Sequence, residues 1–260
     1  MDSKRTKQLK ALDRLLTIMD ELREGCPWDK KQTFQSLRHL TIEETYELSE
    51  ALLDNDLDAI KKELGDLLLH LIFYAKIGSE QDAFDIGDVA HAISEKLIQR
   101  HPHIYADVSV SDEDEVKKNW EQLKLKEGNK SVLSGVPKTL PSLVMASRMQ
   151  DKVAGIGFDW DAIDGVKEKI NEELRELEHE IEQDNKEKIE AELGDVFFSL
   201  VNYARFLGIN PDDALSLTNK RFRDRFIAME ADAAAQNLAL DSLTAAQWES
   251  FWQAAKKTVG

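Results

Sequence analysis

The sequence predicts an all-α protein made of two related helical units. Apolar residues recur at three- and four-residue spacing through most of the chain, which is the helical period. No convincing period-two run is present; Asp107-Val108-Ser109-Val110 is too short to count as a strand. An acidic pattern occurs twice, 129 residues apart, which marks an internal duplication. The first copy is Glu43-Glu44-Thr45-Tyr46-Glu47, followed sixteen residues after Glu47 by Glu63-Leu64-Gly65-Asp66. The second is Glu172-Glu173-Leu174-Arg175-Glu176, followed sixteen residues after Glu176 by Glu192-Leu193-Gly194-Asp195. The match continues from Tyr74-Ala75-Lys76 to Tyr203-Ala204-Arg205.

The first helix is expected over residues 4–24, where Leu9, Leu12, Leu15, Met19 and Leu22 share one face, and Gly25-Cys26-Pro27 ends it. Trp28-Asp29 opens a loop holding Thr33, Ser36 and His39. Helices over 41–54 and 57–78 carry the first acids and are separated by Asp54-Asn55-Asp56. A helix over 85–100 ends at His101-Pro102-His103, because proline disfavours helical backbone in the residue before it. Another is expected over 112–127. The segment 128–141 has two glycines, two prolines and two serines, a linker composition. It separates an N-terminal domain, 1–127, from a C-terminal domain, 142–260. The second half reads as helices over 141–154, 161–184, 186–208, 211–237 and 244–257.

Composition narrows the function. With 260 residues, 42% hydrophobic and 32% charged, the chain can bury substantial cores. A net charge of −16 argues against a general nucleic-acid binder. An anionic substrate would need metal ions or local Lys and Arg. The single cysteine, Cys26, cannot form an internal disulfide, which fits a reducing compartment. No stretch approaches the roughly 18 uninterrupted apolar residues of a membrane span, and the N-terminus lacks a leader pattern, so cytoplasm is expected.

The acids do not read as a plain solvated face. Glu173 falls between Ile170 and Leu177, and Glu192 between Ile189 and Val196, with Leu200 beyond. Glu44 aligns with Leu48 and Leu52, and Glu63 with Ile60, Leu67 and Leu71. These carboxylates share the apolar stripe expected to face the core, where unpaired charge is costly. Glu44/Glu47 and Glu63/Asp66, then Glu173/Glu176 and Glu192/Asp195, are pairs one helical turn apart. Antiparallel packing would gather four carboxylates per half, an all-oxygen set suited to Mg²⁺ or Mn²⁺. A di-iron bundle would use Glu-x-x-His from two helices, and neither half has one among these acids. Gly65 and Gly194, one per half, suggest a close backbone approach beside the site. For phosphate there are Lys220, Arg221, Arg223 and Arg225, with Arg221 and Arg225 on one face; the parallel place in the first half holds Lys96 and Arg100.

Glu-Glu-x-x-Glu followed by Glu-x-x-Asp resembles the signature of the all-α nucleoside triphosphate pyrophosphohydrolases. With Cys26-Pro27-Trp28-Asp29, Arg100-His101-Pro102-His103 and Gly157-Phe158-Asp159-Trp160, essentially the whole chain resembles the tandem-repeat MazG family. The resemblance implies Mg²⁺-dependent hydrolysis of NTPs or dNTPs, ATP among them, to the monophosphate and pyrophosphate. It implies Glu173, Glu176, Glu192 and Asp195 as metal ligands, with Glu44, Glu47, Glu63 and Asp66 as a second set. It places Glu172 beside the substrate, Lys169, Arg221 and Arg225 on phosphate or nucleotide, and Trp252 either over the base or in a core or interface. Trp28, His39 and Trp160 are further residues for a base pocket or a core. A homodimer is implied, with the second half as main catalyst. Two alternatives stay open: an acidic helical scaffold without catalysis, and a diphosphatase for a modified or signalling nucleotide.

Overall fold

The computed structural model describes residues 2–106 and 131–259. Among the described residues the chain is α-helical with short 3-10 turns and no strand, as the apolar period predicted. Two compact units are present, each containing a long helical hairpin. The helix expected over 112–127, the run Asp107–Val110 and residues 128–130 of the predicted linker lie outside the described residues.

The first unit comprises α1 (Ser3–Gly25), α2 (Phe34–Asp54), α3 (Leu57–Ser79), α4 (Ile86–Arg100) and a single-turn α5 (Pro102–Tyr105). Its core joins Met19 of α1, Leu37 of α2, and Ile72, Phe73 and Ile77 of α3. One expectation is corrected here. Ser36 and His39 do not lie in the loop; α2 starts at Phe34, with Thr33 as its N-cap. The Ser36 N–H donates to Thr33 Oγ1 at 3.1 Å, and the Thr33 N–H donates to Ser36 Oγ at 2.8 Å. This reciprocal cap satisfies donors that a helix start leaves open. The loop shrinks to a 3-10 turn, Asp29–Lys31.

Arg23 fastens that turn. Its Nη1 donates to the carbonyls of Asp29 and Gln32, and its Nε and Nη2 each meet a Glu80 oxygen at 2.8 Å. One guanidinium thereby joins the end of α1, the start of α2 and the end of α3. The same pairing holds the Glu80 carboxyl below its ordinary value.

The two hairpins turn alike. Asn55 adopts the left-handed conformation at φ 53°, and Asp56 then caps α3 by accepting from the Asp58 and Ala59 N–H groups. In the second unit Asp184 is left-handed at φ 52°, and Asn185 caps the next helix by accepting from the Lys188 N–H. Asn and Asp have exchanged places without changing the turn, because both tolerate this backbone and both cap helices.

The second unit comprises α6 (Ser142–Ala154), α7 (Ile163–Glu182), α8 (Lys186–Phe206), α9 (Pro211–Ala235) and α10 (Ala245–Thr258). Gln150 of α6 donates through Nε2 to the Phe198 carbonyl at 2.8 Å, which seats α6 on α8. Arg205 grips Asp159 and Asn202, so the 157–160 turn is held to the end of α8. Residues 131–141 form successive turns, and Lys152 Nζ donates to the Val132 carbonyl at 3.1 Å. Helices α9 and α10 enclose Met229, Ala233, Phe251 and Ala255, with Trp248 and Trp252 packed at the edge.

The apolar stripes are only partly covered within each unit. Leu64 and Leu71 of α3, and Leu193, Phe197 and Leu200 of α8, are exposed. A Cβ at Gly65 or Gly194 would meet nothing within 4 Å, so the close backbone approach expected there does not occur within either unit.

Replacing Arg23 with Met should destabilise the protein by about 2–3 kcal/mol, because two carbonyls and a carboxylate lose a charged donor. Urea unfolding would measure this; a change within about 0.5 kcal/mol would contradict the tie described.

Candidate functional site

Each hairpin carries its acids on facing helices. Glu44 and Glu47 lie on α2, with Glu63 and Asp66 on α3; Glu172, Glu173 and Glu176 lie on α7, with Glu192 and Asp195 on α8. The caps that set each hairpin's turn also set its register. In the first unit one carboxylate oxygen from each of Glu44, Glu63 and Asp66 lies within 4.8 Å of the other two. In the second, Glu173, Glu176 and Glu192 meet the same condition. Glu47 and Asp195, predicted for the same clusters, stand outside these triads.

Burial follows the expected stripe for some acids only. Glu63 is 6% exposed and Glu173 5% exposed. Glu44, Asp66 and Glu192 are half-buried, whereas Glu47, Glu176 and Asp195 are exposed. The stripe itself does not face a core throughout, since Leu52, Leu71 and Leu200 are exposed.

The carboxylates repel one another. Partial burial, then the charges of Asp66, Glu47 and Glu63, push the Glu44 carboxyl above its ordinary value. Desolvation by its neighbours, then the charges of Glu173 and Glu192, does the same to Glu176. Glu63 Oε2 is buried and has no hydrogen-bond partner. Oxygen-only donors, mutual repulsion and an unpaired buried oxygen fit a hard divalent cation such as Mg²⁺ or Mn²⁺.

Each triad also has a lysine. Lys169 Nζ lies 2.6 Å from Glu173 and 3.1 Å from Glu172. Hydrogen bonding to Glu173, then to Glu172, pushes its ammonium well above its ordinary value. In the first unit Lys62 Nζ lies 2.9 Å from Glu63 and 3.8 Å from Asp66. Lys62 was not foreseen, although aligning the halves residue by residue would have shown it opposite an alanine.

Arg221, Arg225 and Trp252 lie elsewhere in the second unit, on α9 and α10. On α9 Arg221 donates to Thr218 Oγ1 at 3.0 Å. One turn on, the Arg225 guanidinium sits 5.8 Å from the Trp252 ring centre, with Lys256 Nζ at 5.7 Å from the same ring. Phe222 meets Trp252 at 5.5 Å between ring centres. The structure thus brings Lys169 and Glu172 to the acids, and makes Arg225 and Trp252 part of a cationic, aromatic patch that Lys256 extends. Trp160 lines a separate cavity of about 580 Å³ with Phe158, Phe198, Gln150 and Asn202. Trp28 and His39 are exposed. His70, in the first unit, is buried, and burial pushes its imidazole below its ordinary value. Its counterpart in the duplication is Ser199, and no sequence signal separated His70 from an ordinary core residue.

A family model for the MazG nucleotide pyrophosphohydrolase domain matches residues 32–105 and 163–226, one match over each hairpin. The chain is 41% identical over 255 residues to a nucleoside triphosphate pyrophosphohydrolase of Escherichia coli strain K12, covering 95% of this chain and 97% of that one. It is also 41% identical over 249 residues to "Nucleoside triphosphate pyrophosphohydrolase/pyrophosphatase MazG" of Thermotoga maritima, covering 94% and 95%. A Bacillus subtilis protein, "Uncharacterized protein YabN", is 45% identical over 248 residues, covering 93% of this chain and 51% of that one.

Carboxyls held above their unfolded values favour folding once protonated, and this contribution disappears as pH rises through the folded values. A bound cation would replace the proton. Added Mg²⁺ should therefore raise the thermal midpoint at pH 8. The increment should shrink as pH falls from the raised values of Glu44 and Glu176 toward the unfolded carboxyl value, about 4.3. Calorimetric melts across pH check this, and an increment independent of pH would contradict it.

Proposed function

The chain belongs to the MazG nucleotide pyrophosphohydrolase family, and on that premise we propose that it hydrolyses nucleoside triphosphates to the monophosphate and pyrophosphate, mainly in its C-terminal half. The observation that carries this reading is the triad of Glu173, Glu176 and Glu192, with Lys169 at its edge. Water attacks a phosphorus of the triphosphate chain, the P–O anhydride bond breaks, and pyrophosphate leaves as the water gives up its proton.

Glu173, Glu176 and Glu192, joined by Asp195, would hold Mg²⁺, with Mn²⁺ as a substitute. When bound, the ion supplies charge neutralisation and a more acidic water. Lys169 already stands between Glu172 and Glu173 and presents its ammonium to an incoming phosphate. Glu172 supports that lysine and borders the substrate. Arg221 and Arg225 neutralise the departing pyrophosphate, and Trp252 offers a flat face to the base. Glu44, Glu47, Glu63 and Asp66 form the second, weaker set. ATP and other NTPs and dNTPs are the substrate class.

A homodimer is part of this reading. Its support is the exposed stripe of Leu193, Phe197 and Leu200, and the open notch at Gly194 beside an apolar groove formed with Met145, Val201 and Leu215. A second copy's hairpin has the size and chemistry to cover them. No helix among the described residues is long and apolar enough to cross a membrane. The acidic balance and lone cysteine favour a cytoplasmic protein without direct nucleic-acid binding.

Turnover of a panel of canonical and modified NTPs and dNTPs with Mg²⁺, with the released phosphate species identified, tests the reaction. Release of orthophosphate alone would sink it in favour of hydrolysis at the terminal phosphate, and no metal-dependent product would leave the scaffold reading. Glu173→Gln should lower turnover at least about a hundredfold, whereas Glu44→Gln should keep it within about twofold. The reverse pattern would move the main site to the N-terminal half.

A further inference from the structure

The two acid motifs are equally complete, so the acids alone do not explain unequal halves. Their cations do differ. At the duplication's spacing of 129 residues, Lys62 stands where the second half has Ala191, and Lys169 stands where the first half has Leu40. The first half therefore carries its lysine on the second helix of the hairpin, and the second half carries its lysine on the first.

This shift changes what each lysine can do. Lys62 touches two of the three triad members, Glu63 at 2.9 Å and Asp66 at 3.8 Å. A further acid that acts on it is Glu47, also one of the predicted ligands. These anionic neighbours all belong to the metal set. Lys169 touches one triad member, Glu173, and a second acid, Glu172, that stands outside the triad, while its charge also acts on Glu176. It can remain on Glu172 when Glu173 turns to a metal. Meanwhile Glu63 presents a buried, unpartnered oxygen, so the first-half donor set is built and lacks no ligand atom.

We propose that Lys62 is a built-in counter-cation that weakens divalent-metal binding at the Glu44–Glu63–Asp66 triad and makes the duplicated sites unequal. The proposal rests on the reading that these triads hold metal. A unit positive charge within a few ångströms of a divalent ion costs affinity, and its effect is graded and screened by salt when the charge is exposed. The Lys62 side chain is 66% exposed, which suits a graded weakening and not a block.

The test exchanges the residues between halves in the full-length chain and measures Mn²⁺ binding directly, by the paramagnetic resonance signal of free Mn²⁺. The wild type should bind one ion tightly and a second more weakly. Lys62→Ala should strengthen the weaker site about fivefold to tenfold. That gain should shrink in about 0.5 M salt and vanish when Asp66→Asn is added. Ala191→Lys should weaken the tight site by a similar factor. Both positions lie on the outer surface of their helices, so neither change removes core packing, and circular dichroism confirms the fold. Equal wild-type sites, or an unchanged weak site in Lys62→Ala, would overturn the proposal. Turnover is read separately, so its absence would count against the pyrophosphohydrolase reading without altering the two affinities.

Discussion

Like charges brought together between two packed helices are the constraint on which each half of this protein is organised. Three carboxylate oxygens within 4.8 Å of one another are unstable without positive charge. Everything near them answers that demand. The helices must run antiparallel and in register, which the capped turns at Asn55-Asp56 and Asp184-Asn185 secure. A lysine must reach the cluster from one helix or the other. The strain that remains, visible in the raised carboxyls of Glu44 and Glu176, is the driving force a divalent cation would use.

The duplication has kept the acids and moved the lysine beside them. Such drift is physically easy. A lysine's long stem lets its ammonium reach one acid pair from several backbone positions, whereas a carboxylate ligand has less reach and must start from the correct turn of the helix. The acids are therefore bound to their register while the cations are free to migrate. Two copies can then keep one signature and diverge in electrostatics. The basic helices diverge in another way: Pro102 follows α4 closely, while α9 runs on to Ala235 and packs on α10 to set Arg225 against Trp252.

Much of this was legible in the sequence. The hairpins were, because their stripes repeat at the helical period and the two copies corroborate each other. Glu63 and Glu173 were correctly read as inward-facing acids. The start of α2 was missed because its cap pairs Thr33 with Ser36, where the expected signal is a glutamate or glutamine at the second position. The mid-helix glycines misled, since a missing side chain signals room without saying whether anything fills it. Which acids converge was also hidden. Spacing offered four per half, but which three approach depends on helix rotation and side-chain direction, and it differs between the halves. Lys62 was passed over because a lysine on a charged helix carries no individual signal until its opposite number is compared.

The uncovered stripes on α3 and α8 set a condition on assembly. A chain with one self-complementary face can only pair. A chain with two such faces can close on a single partner only if both faces meet their equivalents about one twofold axis. Where that geometry fails, each free face recruits another chain and growth has no natural end. The duplication that supplied a second acid cluster therefore also supplied a second exposed apolar stripe.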